Sequence, residues 1–234
     1  MIISNTLAAI RAKSSTTTIP IVFTTGSNPV RDGLVPSLNR PGGNVTGVIF
    51  IYGTVGGKRL ELLRQLVPKA GIIAMLVNPG IAEADAERAE VQVAAQSVGQ
   101  QIRIVEIRNT AEIETAVAAA VAAGAGALLI GTGTFWFNNR VPIVESAARH
   151  AIPAMYTLRE YVEAGGLMSY GASISDAFHQ AGLYAGRILK GEKPGDLPVI
   201  QSVKFEFMIN LKTAKTLGLQ FHPQLLATAD EVIE

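Results

Sequence analysis

Short apolar runs alternate with helix-length segments along the whole of this 234-residue chain, and that alternation constrains its fold more than any other feature. The runs are 21–23, 45–51, 72–77, 102–107, 127–130, 154–156, 167–170 and 203–209, with Ile2 and Ile3 reading as the tail of another. They are too short for helices and rich in Ile, Val and Leu, which is the pattern of buried strands. Helical patterning fills the intervals at 33–38, 58–67, 82–98, 111–123, 139–150, 158–164, 176–189 and 211–217. In 58–67 (KRLELLRQLV), Leu60, Leu63 and Val67 share one face. Strands that alternate with helices in this way predict parallel sheets covered by helices, an α/β fold.

The runs also end alike. Ile21, Val22 and Phe23 give way to Thr24, Thr25, Gly26, Ser27 and Asn28. The run at 72–77 ends in Asn78-Pro79-Gly80, the one at 127–130 in Gly131-Thr132-Gly133-Thr134, and the one at 167–170 in Gly171-Ala172-Ser173. Ligands of open parallel sheets bind outside the carboxyl ends of the strands, so these small polar ledges are candidate binding loops. Ser4, Asn5, Thr6, Ser27 and Asn28 add hydroxyls, amides and free backbone donors at helix starts, which suit an anionic group such as a carboxylate. Tyr52, Phe135, Trp136, Tyr156 and Tyr170 fall at or just past strand ends in a chain that is only 6% aromatic. Rings with a polar handle suit a wet pocket for a partly apolar small molecule, the alternative being that one or two of them simply pack.

Several function classes are excluded or unsupported. With 20 basic and 19 acidic side chains the net charge is +1, so no basic field exists to hold nucleic acid or an anionic membrane. The chain has no cysteine, which removes thiolate metal sites, thiol nucleophiles and disulfides. Mean hydropathy is +0.30, but the most apolar window, 116–130, falls short of the roughly 20 residues of a span and is interrupted by Gly124 and Gly126. A helix followed by a strand explains it better. The segment from Gly131 to Trp136 lacks the third glycine of a dinucleotide fingerprint. The 53–59 segment is no phosphate loop either, with Tyr52 in the first glycine position and Arg59 where Ser or Thr is required. His150, His179 and His222 fall on helix ends or faces, so the ledge serines have no triad base. Glu160 and Glu163 read as a solvated helix face. No catalytic set, metal or cofactor is expected.

Segment 40–47 (RPGGNVTG) is polar and flexible, suited to a chain crossing between lobes, and Gly165-Gly166 suggests a return crossing. The stretches IPIVFTTGSNPV, LNRPGGNVTGV, KRLELLRQLVP, MLVNP, EYVEAGGLMSYG, RILKGEKPGDLPV and KFEFMINLKTAKTLGL, in order and over almost the whole chain, resemble the substrate-binding proteins of ABC importers, of tryptophan and tyrosine type. The resemblance implies a two-lobed type I periplasmic-binding-protein fold, its parallel sheets flanked by helices, with lobe 1 in 1–51 and 168–200 and lobe 2 in 52–167 and 201–234. It implies ligand contacts at Ser4, Asn5, Thr6, Gly26, Ser27 and Asn28 in lobe 1. In lobe 2 it implies Asn78, Pro79, Thr132, Gly133, Thr134, Phe135 and Tyr156, with Tyr170 facing the cleft.

It further implies a binding component rather than an enzyme, an amino acid or related carboxylate as ligand, ABC permease subunits as partners and an extracytoplasmic location. A ligand-sensing regulatory domain and a doubly wound enzyme using Glu160 or Asp176 are the alternatives. Family members carry a signal sequence and further βα units ahead of the segment that matches Ile2-Ile3-Ser4-Asn5. The expectation is therefore a lobe 1 incomplete at its N-terminus, with an exposed sheet edge and self-association through that face.

Overall fold

The computed structural model describes residues 2–3, 5–50, 55–81 and 83–234. In chain order the elements are β1 (Ile2–Ile3), α1 (Thr6–Ser15), β2 (Ile21–Thr25), β3 (Val45–Phe50), α2 (Gly56–Leu66), β4 (Ile72–Val77), α3 (Ala84–Ser97), β5 (Gln101–Glu106), α4 (Glu112–Ala122), β6 (Ala125–Ile130) and α5 (Thr134–Asn138). They continue with α6 (Arg140–Arg149), β7 (Ala154–Tyr156), α7 (Arg159–Glu163), β8 (Met168–Ala172), α8 (Ile174–Leu189), β9 (Ile200–Ser202), β10 (Phe205–Asn210), α9 (Leu211–Thr216), α10 (Pro223–Leu226) and β11 (Glu231–Ile233). The chain divides into two compact units, Met1–Ile51 with Ala172–Lys204 and Tyr52–Gly171 with Phe205–Glu234.

The first unit is built on a four-stranded sheet in the order β1-β2-β3-β9, every pairing parallel. Because successive side chains point to opposite faces, Ile21 and Phe23 share a face and bury against Ala9, Leu34, Val35, Val45 and Val199. Helix α8 packs on β2 and β3 and buries Ala177, Ala181 and Tyr184. The Tyr184 hydroxyl donates to Pro198 O at 2.6 Å, and Thr46 Oγ1 donates to Leu197 O at 2.7 Å.

The helix expected at 33–38 does not form. Gly33 takes a left-handed φ of +72°, Leu34 N and Val35 N both turn back to Pro29 O at 2.8 and 3.2 Å, and Pro36 has no N–H to continue a helical ladder. The turns still deliver Leu34 and Val35 to the core, 1% and 2% exposed.

The second unit carries a seven-stranded sheet in the order β11-β10-β8-β7-β6-β4-β5. The β4/β5, β4/β6, β6/β7, β7/β8 and β10/β11 pairs are parallel. Asn210 N donates to Leu167 O, whereas Ser173 N donates to Lys204 O, so β10 runs opposite to β8 and the sheet is mixed. Its core gathers Leu60 and Leu63 of α2 with Ile73, Met75, Leu129, Met155, Met168, Phe207 and Ile209. The alanine-rich window becomes the end of α4 and then β6, and among the described residues no helix is long and apolar enough to cross a membrane.

The strand expected at 203–209 forms as β10, and just before it the three residues of β9, outside that run, close the first sheet. Beyond α9, the sequence pattern did not reveal α10 and β11. His222 caps α10, its Nδ1 accepting from Gln224 N at 3.3 Å.

On the outside of the second unit, Glu114 of α4 receives Arg149 Nη2 at 2.6 Å and meets His150 Nε2 at 2.9 Å. Arg149 foremost, with His150, holds the Glu114 carboxyl down from its ordinary 4.5 to about 2. A depressed carboxylate stabilises the fold above its unfolded pKa and loses that contribution as pH falls through the folded one. Glu114→Gln is therefore expected to lower stability above pH 4.5, to flatten its pH dependence between 4.5 and about 2, and to leave stability unchanged below that, as read by circular dichroism during acid titration. An unaltered acid profile in the variant would remove the assignment.

Candidate functional site

The first unit presents its ledge where β2 ends and α1 begins. Asn5 caps α1, its Oδ1 accepting from Ala8 N at 2.7 Å. Thr6 opens the helix, and its Oγ1 lies 2.6 Å from Thr25 Oγ1 and 2.7 Å from Ser27 Oγ. Thr25 Oγ1 and Ser27 Oγ are 2.8 Å apart. Three hydroxyls thus close a triangle beside the positive end of a helix dipole, a set of donors that can turn to an anion. Thr25 is 2% exposed and supports the two half-buried members. Gly26 is half-buried between them. Asn28 is exposed, and its Oδ1 is committed to Val30 N and Arg31 N at 3.0 and 3.1 Å. Ser4 lies outside the described residues.

The second unit has its own ledge. Parallel pairing puts the ends of β4, β6, β7 and β8 on one sheet edge, with Leu76 level with Ile130, Leu129 with Met155 and Tyr156 with Ser169. Asn78 is nearly buried, its Oδ1 accepting from Gly80 N at 2.8 Å, and Pro79 is exposed beside it. Gly131 must lack a side chain, since a Cβ there would stand 2.7 Å from Leu76 O. Gly133 has φ +117° and sits against Ile81, so it too excludes a side chain. Thr134 is exposed, and Phe135 is half-buried with its ring edge-on to Trp136 at 5.0 Å.

The strand-end aromatics divide. Tyr156 is a core residue, 1% exposed and stacked on Tyr161 at 5.0 Å, and burial pushes its phenol pKa up. Thr157 beside it is also buried. Trp136 is 1% exposed. Tyr170 is half-buried and stacks on Phe205 at 5.9 Å, with Phe207 edge-on at 6.4 Å. Tyr52 lies outside the described residues. Phe135 and Tyr170 are the rings of this set that keep exposed surface among the described residues.

The carboxylates of the enzyme alternative belong to different units. Asp176 Oδ2 accepts from Ser202 Oγ at 2.8 Å in the first unit. Glu160 is in the second, where burial foremost pushes its carboxyl pKa up. Its neighbour Arg159 meets Glu163, Glu231 and Glu206 at 2.8, 2.7 and 3.6 Å. Among the described residues no group of three acidic or histidine side chains could hold a metal ion.

Sequence reasoning missed a buried ion pair beneath the second ledge. Arg59 of α2 is 0% exposed and Glu87 of α3 is 2% exposed, and their side chains are hydrogen-bonded, Arg59 Nη2 to Glu87 Oε1. A signal was present. Arg59, Leu62, Leu63 and Leu66 are buried on α2, and Ala84, Glu87, Val91 and Ala95 on α3, so opposite charges occupy core positions on consecutive helices.

The family described as "ABC transporter substrate binding protein" matches residues 1–233. The chain belongs to the ABC transporter substrate-binding protein family. This is a family of binding proteins, not of enzymes. As a member, the chain is 30% identical over 217 residues to the tyrosine-binding protein of Clostridioides difficile strain R20291, covering 92% of this chain and 62% of that protein. It thus spans less than two thirds of that relative's length. Among solved structures, the ABC domain in complex with L-Trp from Streptococcus pneumonia superposes with a TM-score of 0.81 at 26% identity, over 99% of this chain and 78% of that one. The ligand-free, open structure of a substrate-binding protein with adhesive properties from Clostridium difficile gives 0.71 at 25% identity, over 100% of this chain and 77% of that one. The α/β fold is that of the type I periplasmic-binding proteins.

Proposed function

We propose that this protein captures an aromatic amino acid, or a related small carboxylate, for delivery to the permease of an ABC importer outside the cytoplasm. The observation that carries the reading is the hydroxyl triangle of Thr6, Thr25 and Ser27 at the start of a ten-residue helix, which offers donors and a dipole to a carboxylate. Phe135 and Tyr170 supply exposed ring surface for an aromatic side chain. The relatives that bind tyrosine and L-Trp support the same ligand class. In this reading Ser4, Asn5, Gly26 and Asn28 are ligand contacts from the first unit, and Asn78, Pro79, Gly133 and Thr134 are ligand contacts from the second.

The test is thermal shift and calorimetry with L-tryptophan, L-tyrosine, their carboxamides and a panel of non-aromatic amino acids. Ligand at about 100 times Kd stabilises the native state by about 2.7 kcal/mol. For a chain of this size that is a rise in Tm of about 5–10 °C. The carboxamides are expected to bind at least about tenfold more weakly, which is 1.4 kcal/mol or more. If neither aromatic acid nor any other member of the panel shifted the melt, the reading would fail.

A further inference from the structure

Arg59 and Glu87 do more than fill space between α2 and α3. Each reaches the end of β6. Arg59 Nη1 donates to Ile130 O at 2.9 Å, and Glu87 Oε2 accepts from both Thr132 N and Thr132 Oγ1, each at 2.9 Å. Residues 130 and 132 bracket Gly131, so the first turn of the ledge is fastened on both sides. Arg59 orients Glu87, and Glu87 orients Thr132. Taking two charges out of water is costly, and an apolar pair of similar volume would join two helices at least as well. What an apolar pair lacks is the ability to hold a backbone carbonyl, a backbone N–H and a hydroxyl at once.

The same geometry changes the part that Thr132 plays. Its side chain is 3% exposed, and both of its donors point inward to Glu87. Thr132 is therefore the handle by which the ledge is held, while Gly133, Thr134 and Phe135 are the residues that face outward from it. We propose that the Arg59–Glu87 pair is a positioning device that holds residues 131–135 in their ligand-binding arrangement before ligand arrives. Its effect on affinity rests on the binding function proposed above. A ledge set in advance spares the ligand the entropy of ordering it.

The experiment compares the parent with Glu87→Gln and with the double variant Arg59→Met/Glu87→Leu. It measures Tm, calorimetric affinity for L-tryptophan, and hydrogen exchange at the Thr132 amide without ligand. The double variant removes both buried charges together, so it is expected to melt closer to the parent than Glu87→Gln, which strands Arg59 as an uncompensated buried charge. It should nevertheless bind L-tryptophan at least about tenfold more weakly and exchange the Thr132 amide faster. Glu87→Gln keeps an acceptor for Thr132 and should fall between the two in affinity and in exchange. An ion pair that is only structural would move affinity in step with Tm.

Parent-like affinity and parent-like exchange in the double variant would overturn the proposal. Should the double variant fail to fold, the Glu87→Gln comparison decides by the same two readouts. If the parent itself binds no aromatic amino acid, the functional reading falls, and exchange at Thr132 alone decides whether the pair holds the ledge.

Discussion

Gly171→Ala is expected to cost about 3 kcal/mol or more of stability, at the upper end of overpacking effects. Gly182→Ala should instead add about 0.5–1 kcal/mol. The two glycines differ in what a methyl group would meet. At Gly171 the new Cβ would run into the carbonyl oxygen of Thr157, whereas at Gly182 it would find nothing within 4 Å. The obstacle at Gly171 is backbone, and it cannot swing aside as a side chain would. Strand β7 is held to β8 with Tyr156 level with Ser169, so moving Thr157 strains the pairing just behind it. Gly182 sits inside α8 and is exposed, so alanine there gains helix propensity at no steric cost. Denaturant midpoints with unchanged m-values would measure both effects. A Gly171→Ala variant within about 1 kcal/mol of the parent would contradict the close approach, since overpacking ordinarily costs more.

The strands were legible because each is a short apolar run with a polar stop, and a run such as Ile73 to Val77, buried along its length, has few other conformations open to it. The helix expected at 33–38 failed for a local reason, since apolar spacing alone could not weigh Pro29, Gly33 and Pro36 against it. Strand β9 escaped notice because its three residues, Ile200 to Ser202, are too few to show a period. Period-2 patterning is the same whichever sheet a strand joins, so the change of sheet after Ser202 left no mark on the sequence. Among the candidate residues, Thr6, Ser27 and Thr132 do lie at strand ends and helix starts, but Thr132's partner is 45 residues away and invisible locally. The burial of Tyr156 was not legible, because a tyrosine at a strand end looks the same whether its ring leaves the sheet or stacks inward on Tyr161.

Trp136→Ala is expected to destabilise the second unit by about 3–5 kcal/mol, the usual range for a buried large aromatic. Trp136 is the only tryptophan in the chain and heads the fully buried side chains in volume, with 1% of its surface exposed. Its indole packs under the ledge. A Cβ on Gly131 would lie 3.0 Å from Trp136 Nε1, and Phe135 leans edge-on against its ring. Short helix α5 has only five residues and little stability of its own, so the buried ring is its main anchor. The native protein should therefore show blue-shifted tryptophan emission that moves red only when the second unit opens. Urea unfolding of Trp136→Ala followed by circular dichroism should show the full loss, and Trp136→Phe a smaller one. Because Phe135 loses its partner, Trp136→Ala should also weaken the L-tryptophan binding proposed above, measured well below the variant's own Tm. A red-shifted native emission, or a loss below about 1 kcal/mol in the alanine variant, would show that the indole is not the packed core residue that its burial implies.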